Sequence, residues 1–304
     1  MRLSLIVPCY NEQDNVVPFF ERVREVFAPE MPEIVFVDDG SSDETLSRLK
    51  GLYSVNDGIR VLSFTRNFGK EAAMLAGLRA ASGDYIGIID ADLQQDPSVA
   101  KEMLDILLKD DSLEMVAACQ NARREGAAHK LCKKCFYSLS RRICSIPFEP
   151  NASDFRVMRR RVADAVLSDP ESNRFSKGIF AWTGFSTRFY SYTVMDRNSG
   201  KSKWSIRSLT GYALNGIFSF SEKPLSFSLV VSCITSFAAV LSLILLLVFD
   251  ADPVLTVLLP VTLLLFSLVF FVLWIIGKYV NMALSEAKRR PAYVLREDLN
   301  RKDS

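Results

Sequence analysis

The residue types with the clearest chemistry lie in one short stretch, Asp90-Ala91-Asp92-Leu93-Gln94. Asp90 and Asp92 are separated by one residue, and a carboxamide follows at Gln94. Carboxylate and amide oxygens are the hard ligands that Mg²⁺ and Mn²⁺ take in proteins, often together with substrate phosphates. The stretch therefore predicts a divalent-metal site formed by Asp90, Asp92 and Gln94, where a phosphorylated ligand can bind.

Alternating apolar patterns around this stretch predict the elements that position it. The predicted order is a strand at 3–7, a helix at 15–27, a strand at 33–37, a helix at 44–52, a strand at 60–64, a helix at 70–81 and a strand at 85–89. This order is typical of an α/β fold, a mostly parallel sheet with helices on both faces. Ligands bind beyond the carboxyl ends of such strands. The polar loops at 8–12, 38–43 and 90–94 are therefore expected to meet at one rim, although turn and capping chemistry explains Ser42 and Asp43 equally well.

Several other chemistries are disfavoured. The chain has one histidine, His129, which excludes a multi-histidine zinc site and leaves one candidate for a Ser-His-Asp triad. No GxGxxG occurs, and the Gly200-Lys201-Ser202 stretch lacks the leading glycine of a P-loop. Cys132-x-x-Cys135 has no second CxxC partner, so the six cysteines are interpreted as reduced thiols.

Two long runs, 227–249 and 254–276, contain no charged residue, and hydrophobic residues make up 49% of the chain. At about 1.5 Å per residue, each run is long enough to cross the ~30 Å hydrocarbon core of a bilayer as a helix. The short acidic turn between them predicts an antiparallel transmembrane hairpin. Lysine and arginine flank its outer ends, so the positive-inside rule places both termini in the cytoplasm. A buried hairpin in a large soluble core is the alternative.

With these elements in place, the chain resembles the inverting family 2 glycosyltransferases of GT-A fold, in particular the polyprenyl-phosphate glycosyltransferases, which include dolichol-phosphate mannose synthases and bactoprenol glucosyltransferases. The resemblance covers nearly the whole chain. It rests on motifs in the family's order: Val7-Pro8-Cys9-Tyr10-Asn11-Glu12, Val37-Asp38-Asp39-Gly40-Ser41-Ser42-Asp43, Arg66-Asn67-Phe68-Gly69-Lys70-Glu71, Asp90-Ala91-Asp92-Leu93-Gln94, Asp154-Phe155-Arg156 and Phe218-Ser219-Phe220-Ser221.

The resemblance implies a nucleotide-sugar donor, a divalent metal and a polyprenyl phosphate acceptor. It implies two sets of binding residues. The donor set is Pro8, Tyr10, Glu12, Asp39, Asp90, Ala91, Asp92 and Arg123, and the set for the acceptor or the diphosphate is Arg156, Arg174, Lys177, Arg197 and Lys203.

Catalysis is expected to involve Asp92, through the metal, and Asp154. Asp154 is expected to act as a base or to orient the acceptor; pairing with Arg156 or Arg159 is the structural alternative. The acceptor phosphate, whose second pKa is near 6, is mostly ionised at neutral pH and needs no strong base. Attack opposite the diphosphate would invert the anomeric centre, so an α-linked donor would yield a β-linked product.

Four regions follow from these predictions. Their expected order is a GT-A domain at 1–204, an amphipathic juxtamembrane segment at 205–226, the hairpin at 227–276 and a basic cytoplasmic tail at 277–304. The chain is thus expected in the cell membrane as a multi-pass protein with a cytoplasmic catalytic domain, and nothing indicates a nucleic-acid partner.

The sequence leaves the sugar open among UDP-glucose, UDP-galactose, UDP-GlcNAc and GDP-mannose, with glucose as the first candidate. The length of the acceptor lipid is equally open, with undecaprenyl phosphate as the first candidate, and a homo-oligomer is one option for the assembly. Two other functions remain: an inactive or accessory membrane scaffold that handles lipid, and a polysaccharide synthase, whose Gln-x-x-Arg-Trp motif the sequence lacks.

Overall fold

The computed structural model describes residues 2–120, 152–169, 174–193 and 258–300, together with 230, 233–235 and 237. Its elements, in chain order, are β1 (Leu3–Cys9), α1 (Val16–Phe27), β2 (Glu33–Asp38), α2 (Thr45–Val55), β3 (Ile59–Phe64), α3 (Lys70–Ala80), β4 (Tyr85–Ile88), α4 (Pro97–Lys109), β5 (Met115–Gln120), β6 (Ala152–Arg159), α5 (Arg160–Ser168), α6 (Ser176–Trp182), β7 (Thr187–Tyr192), α7 (Leu259–Ala287) and β8 (Leu295–Leu299).

The strands of the described residues form one sheet in the order β7-β5-β6-β4-β1-β2-β3-β8. Strands β4, β1, β2 and β3 run parallel to one another, whereas β6 pairs antiparallel to β4 and β8 pairs antiparallel to β3. The predicted α/β fold is therefore confirmed, as a mixed and mostly parallel sheet. The first four strands and three helices lie where the sequence predicted them, with bounds that differ by a few residues.

Two apolar cores cover the two faces of the sheet. In β1, Leu5 and Val7 point into one core and Ile6 into the other, as the two-residue period of a strand requires. The first core packs α1, α2 and α4 against the sheet, and the second packs α3, α5 and α6. Both faces of the central strands are thus buried against helices. Polar side chains at the carboxyl ends of the strands lie outside these apolar cores.

Helix α4 shows how the sequence positions the acidic loop before it. Asp96 is the N-cap, and its carboxylate accepts a hydrogen bond of 2.7 Å from the amide of Ser98. Pro97 at the first helical position needs no hydrogen-bond acceptor for its nitrogen. The loop 89–96 is therefore bounded by β4 on one side and by a capped helix on the other.

Helix α7 differs from the predicted second membrane run. It begins at Leu259 and continues past Ile276 to Ala287. Within the described residues, Leu264–Ala287 is the one helix long and apolar enough to cross a membrane, and only 6% of its most apolar window is buried. The two-helix hairpin is not confirmed, because most of the first run and the acidic turn lie outside the described residues. The juxtamembrane segment 205–226 also lies outside them.

The last part of the chain is not a separate tail in the structure. Residues 277–287 belong to α7, and β8 joins the sheet beside β3. The expected basic tail at 277–304 therefore contains the end of a long helix and an edge strand of the sheet.

Candidate active site

The loops that follow β1 and β2 are joined by hydrogen bonds at the rim of the sheet. The amide of Asn11 donates to Ser41 Oγ over 2.9 Å, and Asn11 Oδ1 accepts from the amide of Ser42 at the same distance. The amide of Glu12 donates to Thr45 Oγ1 over 2.8 Å. Asn11 takes a positive φ of 51°, a conformation that asparagine tolerates better than most residues. The expected meeting of these two loops is confirmed.

Three of the residues predicted to bind the nucleotide sugar lie at the end of β1 or on the loop that follows it. Pro8 is the residue before the last one of β1, Tyr10 follows the strand, and both are half-buried. Glu12 Oε2 accepts a hydrogen bond of 2.6 Å from Asn15 Nδ2, so its carboxylate faces the start of α1. The structure thus brings these residues to the rim, at the same end of the sheet as the acidic loops.

Asp39, another residue predicted to bind the nucleotide sugar, holds the loop that precedes α3. Its side chain is buried and accepts hydrogen bonds from the amides of Phe68, over 2.6 Å, and Gly69, over 2.9 Å. Burial raises the pKa of Asp39 above its ordinary value, and the two amides only partly oppose this. Gly40 has a φ of 65°, and a Cβ there would lie 2.3 Å from the backbone carbon of Arg66. The second loop is therefore packed closely against residues 66–69.

The loop that follows β4 presents Asp90 and Asp92. Asp90 exchanges two hydrogen bonds with Gln95: its amide donates to Gln95 Oε1 over 3.0 Å, and Gln95 Nε2 donates to Asp90 Oδ2 over 2.9 Å. Asp92 Oδ1 accepts from the amide of Gln94 over 3.1 Å. Leu93 between them has a φ of 59°, which is uncommon outside glycine. The loop is thus held in a defined, locally strained shape.

Lys70 joins this loop to Asp154. Its ammonium Nζ lies 2.5 Å from Asp90 Oδ1 and 3.3 Å from Asp154 Oδ2. Strand β6 pairs antiparallel to β4 with Ile88 opposite Arg156, a register that brings Asp90 and Asp154 toward each other just beyond the paired residues. Lys70 is the first residue of α3, so the helix start inserts its cation between two carboxylates from neighbouring strands.

The electrostatics favour the charged forms of Lys70 and Asp154. Burial opposes the charge of Asp154, but Lys70, Lys177 and Arg156 outweigh it and lower the pKa of Asp154 to about 2. Burial likewise opposes the charge of Lys70, but Asp90 and Asp154 outweigh it and raise the pKa of the ammonium. Asp154 Oδ1 is buried and has no hydrogen-bond partner among the described residues. A buried carboxylate oxygen with unused acceptor capacity is a natural contact for a bound ligand.

The predicted basic residues divide into three groups: Arg156 and Arg174, which donate to backbone carbonyl oxygens, Lys177, which acts on Asp154, and three that lie outside the described residues. Arg156 is buried: it donates to the carbonyl oxygens of Asp154, over 3.1 Å, and Ser153, over 3.0 Å, and its Cζ lies 4.0 Å from the ring centroid of Phe180. Arg174 donates to Val166 O over 2.9 Å and so binds the carboxyl end of α5. Lys177 is close enough to Asp154 to lower its pKa. The third group, Arg123, Arg197 and Lys203, lies outside the described residues.

Three residues of this site had no role in the sequence analysis: Lys70, Glu71 and Gln95. Glu71 accepts hydrogen bonds from the amide of Ser176, over 3.1 Å, and from its hydroxyl, and so holds the start of the helix that carries Lys177. The string Arg66-Asn67-Phe68-Gly69-Lys70-Glu71 was noticed as a motif. A basic residue at a helix start carries no sign of its partners, which come from distant strands.

The carboxylates of Asp90 and Asp92 fit a divalent cation that is held jointly by the protein and a ligand. The described residues contain no cluster of three or more His, Cys, Asp or Glu side chains that could hold a metal by themselves. Mg²⁺ and similar ions are commonly bound through one or two carboxylates plus substrate phosphates. The half-buried Asp90 and the buried Asp92, at the rim, are carboxylates that fit such an ion.

The comparisons with known proteins agree with this fold. Residues 4–167 match the family described as Glycosyl transferase family 2. The chain is 36% identical over 308 residues to the bactoprenol glucosyl transferase of Shigella phage SfV, covering 98% of this chain and 99% of that protein. It is 35% identical over 305 residues to the prophage bactoprenol glucosyl transferase homolog of Escherichia coli K12, covering 97% and 99%.

Among solved structures, the fold is similar to that of glucosyl-3-phosphoglycerate synthase from Mycobacterium tuberculosis in complex with Mn²⁺, UDP-glucose and glycerol 3-phosphate. The TM-score is 0.52 at 18% identity, over 71% of this chain and 78% of that one. The described domain is thus an α/β glycosyltransferase domain of the GT-A type. The chain belongs to glycosyl transferase family 2, which confirms the family resemblance found in the sequence.

Proposed function

We propose that the chain transfers glucose from a nucleotide-sugar donor to a polyprenyl phosphate such as undecaprenyl phosphate. Two relatives that match over nearly their whole length are named bactoprenol glucosyl transferases or homologs of them. The observation that carries the proposal is the arrangement of Asp90, Lys70 and Asp154 at the rim of the sheet, with 2.5 Å and 3.3 Å between the ammonium and the two carboxylates.

On the donor side, Pro8, Tyr10 and Glu12 are proposed to contact the base and ribose. Asp39 would act through the loop that it holds, because its carboxylate already accepts two backbone amides. Asp90, Asp92 and Gln94 would hold Mg²⁺ or Mn²⁺ together with the diphosphate. When bound, the cation supplies charge stabilisation for the leaving diphosphate.

On the acceptor side, Asp154 is proposed to orient the reaction partners rather than to remove a proton. With a pKa of about 2, its carboxylate is a weak base. The acceptor phosphate is mostly ionised at neutral pH and can attack without losing a proton to the protein. The charges of Lys70, Lys177 and Arg156 offset that of Asp154 and so reduce the repulsion that an anionic nucleophile would meet. Attack on the face opposite the diphosphate would invert the anomeric centre.

The acceptor is a lipid, so the domain must work close to a membrane. Helix Leu264–Ala287 has the length and composition for a membrane span, and its large apolar side chains include the exposed Phe266, Phe270 and Trp274. We propose that this helix anchors the chain, that the 227–249 run completes a hairpin, and that the catalytic domain and both termini face the cytoplasm.

The test is sugar transfer by the full-length protein in vesicles that contain undecaprenyl phosphate. Radiolabelled UDP-glucose, UDP-galactose, UDP-GlcNAc and GDP-mannose are supplied separately with Mn²⁺ or Mg²⁺, and EDTA serves as the metal control. We expect label to enter the butanol-extractable lipid with UDP-glucose and EDTA to abolish it. Anomeric analysis of the product tests inversion.

Two results would count against the proposal. Lipid labelling with another donor alone would replace glucose. Absence of lipid labelling with every donor, from protein whose thermal unfolding shows a cooperative transition, would favour the scaffold function.

A further inference from the structure

The chain that leaves the membrane-directed helix returns to the active-site rim. Strand β8 pairs antiparallel to β3, with Leu295 opposite Phe64 and Leu299 opposite Val61. The amide of Thr65 donates to Val294 O over 3.1 Å. Because β8 runs against β3, its first residues lie at the carboxyl end of β3, next to loop 65–69. We call residues 293–299 the C-terminal strap.

The far end of the strap is held by ion pairs at the sheet edge. Arg60 binds Asp298 through two hydrogen bonds, of 2.7 Å and 3.0 Å. Lys50 lies 2.6 Å from Glu297. These contacts secure the strand away from the site, so they offer a control for effects of the strap on the fold in general.

The near end of the strap contacts the site through aromatic rings. The ring of Tyr293 stacks on Phe64, with centroids 4.9 Å apart and an angle of 12° between the planes. Phe64 in turn meets Phe68 edge-on, with centroids 5.7 Å apart. Arg79 donates to Tyr293 Oη over 3.3 Å. Phe68 and the following Gly69 are the residues whose amides bind Asp39, and Lys70 comes next in the chain.

We propose that Tyr293, at the near end of the strap, is a positioning residue for Lys70. The Tyr293 ring holds Phe64 and Phe68, which fix loop 65–69 and thereby the first residue of α3. This inference rests on the proposed function only for its effect on transfer rates, since the support of the loop is a property of the fold.

The link between α7 and the strap also limits how far the site can lie from the end of α7. Helix α7 ends at Ala287, so six Cα steps lead to Tyr293. At about 3.6 Å per residue, this link spans at most about 22 Å. Residues 288–293 therefore limit the distance from the helix end to the rim, and the last of them, Tyr293, contacts Phe64 beside the loop that precedes Lys70.

The experiment compares Tyr293→Leu with Tyr293→Phe and Asp298→Asn in the full-length protein in vesicles. Tyr293→Leu removes the stacked ring but keeps apolar bulk, Tyr293→Phe keeps the ring, and Asp298→Asn weakens the far end alone. Hydrogen exchange of the peptide that contains residues 64–70 reports the loop directly. Initial rates at varied donor concentration report kcat and KM.

We expect Tyr293→Leu to speed exchange of the Phe68 and Gly69 amides about tenfold and to lower kcat by a similar factor, as the loss of one aromatic stacking contact implies. The KM for the donor should change less than threefold. Tyr293→Phe should restore both values, and Asp298→Asn should leave both unchanged. Tyr293→Met is a second ring-free variant in case Tyr293→Leu does not fold.

If Tyr293→Leu exchanges the amides of residues 64–70 at a rate within twofold of that of the unchanged protein, the proposal is overturned. Equal effects of Tyr293→Leu and Asp298→Asn on exchange and kcat would also overturn it. If the unchanged protein transfers no sugar at all, the proposed function fails. The exchange measurement still decides the role of the strap in that case.

Discussion

Asp90 and Asp154 share one cation. Lys70 Nζ lies 2.5 Å from Asp90 and 3.3 Å from Asp154, and the two carboxylates come from a loop and a strand that neighbour each other in the sheet. Without the ammonium, two carboxylates would stand close together in a partly buried place, where like charges repel strongly. Lys70 therefore offsets the repulsion between the carboxylates of Asp90 and Asp154.

The first prediction concerns this cation. Lys70→Met should lower the rate of sugar transfer by about 100-fold or more, because a preorganised charge at the reacting groups is lost. The variant should also unfold at a lower temperature, since Asp154 is left with an uncompensated charge. Initial rates at saturating donor and the thermal midpoint are the measurements.

Lys101→Met is the matched control, because Lys101 donates to Val26 O on the surface between α4 and α1, away from the rim. It should transfer sugar at the normal rate. A normal rate in Lys70→Met as well would show that Lys70 is not part of the active site.

The second prediction concerns the metal. Asp92→Asn should abolish metal-dependent transfer and leave the protein folded, because an amide is a much poorer ligand for a hard cation than a carboxylate. Asp96→Asn serves as the control in the same loop: it loses the ion pair with Arg22, 3.1 Å away, but asparagine can still cap α4. Transfer by Asp92→Asn close to the normal rate at any Mn²⁺ concentration would contradict the assignment of the metal site.

The third prediction separates two adjacent glutamines. Gln95 holds Asp90 through two hydrogen bonds, so Gln95→Ala should weaken the apparent affinity for Mn²⁺ by about 10–100-fold, as is usual for a residue that orients a metal ligand. Excess Mn²⁺ should restore most of the rate. The measurement is the Mn²⁺ concentration that gives half-maximal transfer.

Gln94→Ala tests the expected ligand in the same titration. A titration curve for Gln95→Ala that overlays the curve of the unchanged protein would rule out the orienting role of Gln95.

The fourth prediction concerns stability and pH. Glu33 accepts hydrogen bonds from Ser4 Oγ, over 2.5 Å, and from the amide of Ser82, over 2.7 Å. Burial opposes its charge, but these bonds, the Ser82 hydroxyl and the charge of Arg2 outweigh it, so the pKa of Glu33 is lowered. A lowered pKa in the folded state contributes stability above the unfolded value and loses it as the pH falls.

Glu33→Gln should therefore be less stable at pH 7 by about 1–3 kcal/mol, because the strong acceptor of buried donors is weakened. Its stability should also fall less steeply than that of the unchanged protein as the pH drops below about 4.5. Thermal unfolding from pH 3 to pH 8 checks both. Parallel curves for the two proteins would contradict the role of Glu33 as an ionised acceptor.

Local patterns were enough to predict the first half of the sheet. Each strand from β1 to β4 is a short apolar run that ends at polar residues, and each helix shows apolar side chains at helical spacing, as Val16, Phe19, Phe20 and Val23 do in α1. The carboxyl ends of parallel strands meet at one edge, so the positions of Glu12, Asp39 and Asp90 at a common rim could be inferred as well.

The partners within the site could not be predicted in this way. The sequence predicts that Asp154 acts as a base, orients the acceptor or pairs with Arg156 or Arg159. In the structure, its carboxylate lies beside Lys70, and Arg156 donates to its carbonyl oxygen. The choice depends on the antiparallel register of β6 against β4, which no local pattern encodes. The same holds for Gln95, whose neighbour Gln94 looked equally suitable.

The sequence by itself determined the family, the α/β class and the acidic residues of the site, because these follow from short motifs, from the periods of strands and helices, and from the order of elements along the chain. Only the tertiary structure decided that Lys70 lies between Asp90 and Asp154 and that Leu295–Leu299 forms the edge strand beside β3. Both depend on contacts between segments far apart in the chain. Such contacts are selected by the packing of the whole domain rather than by the residues beside them.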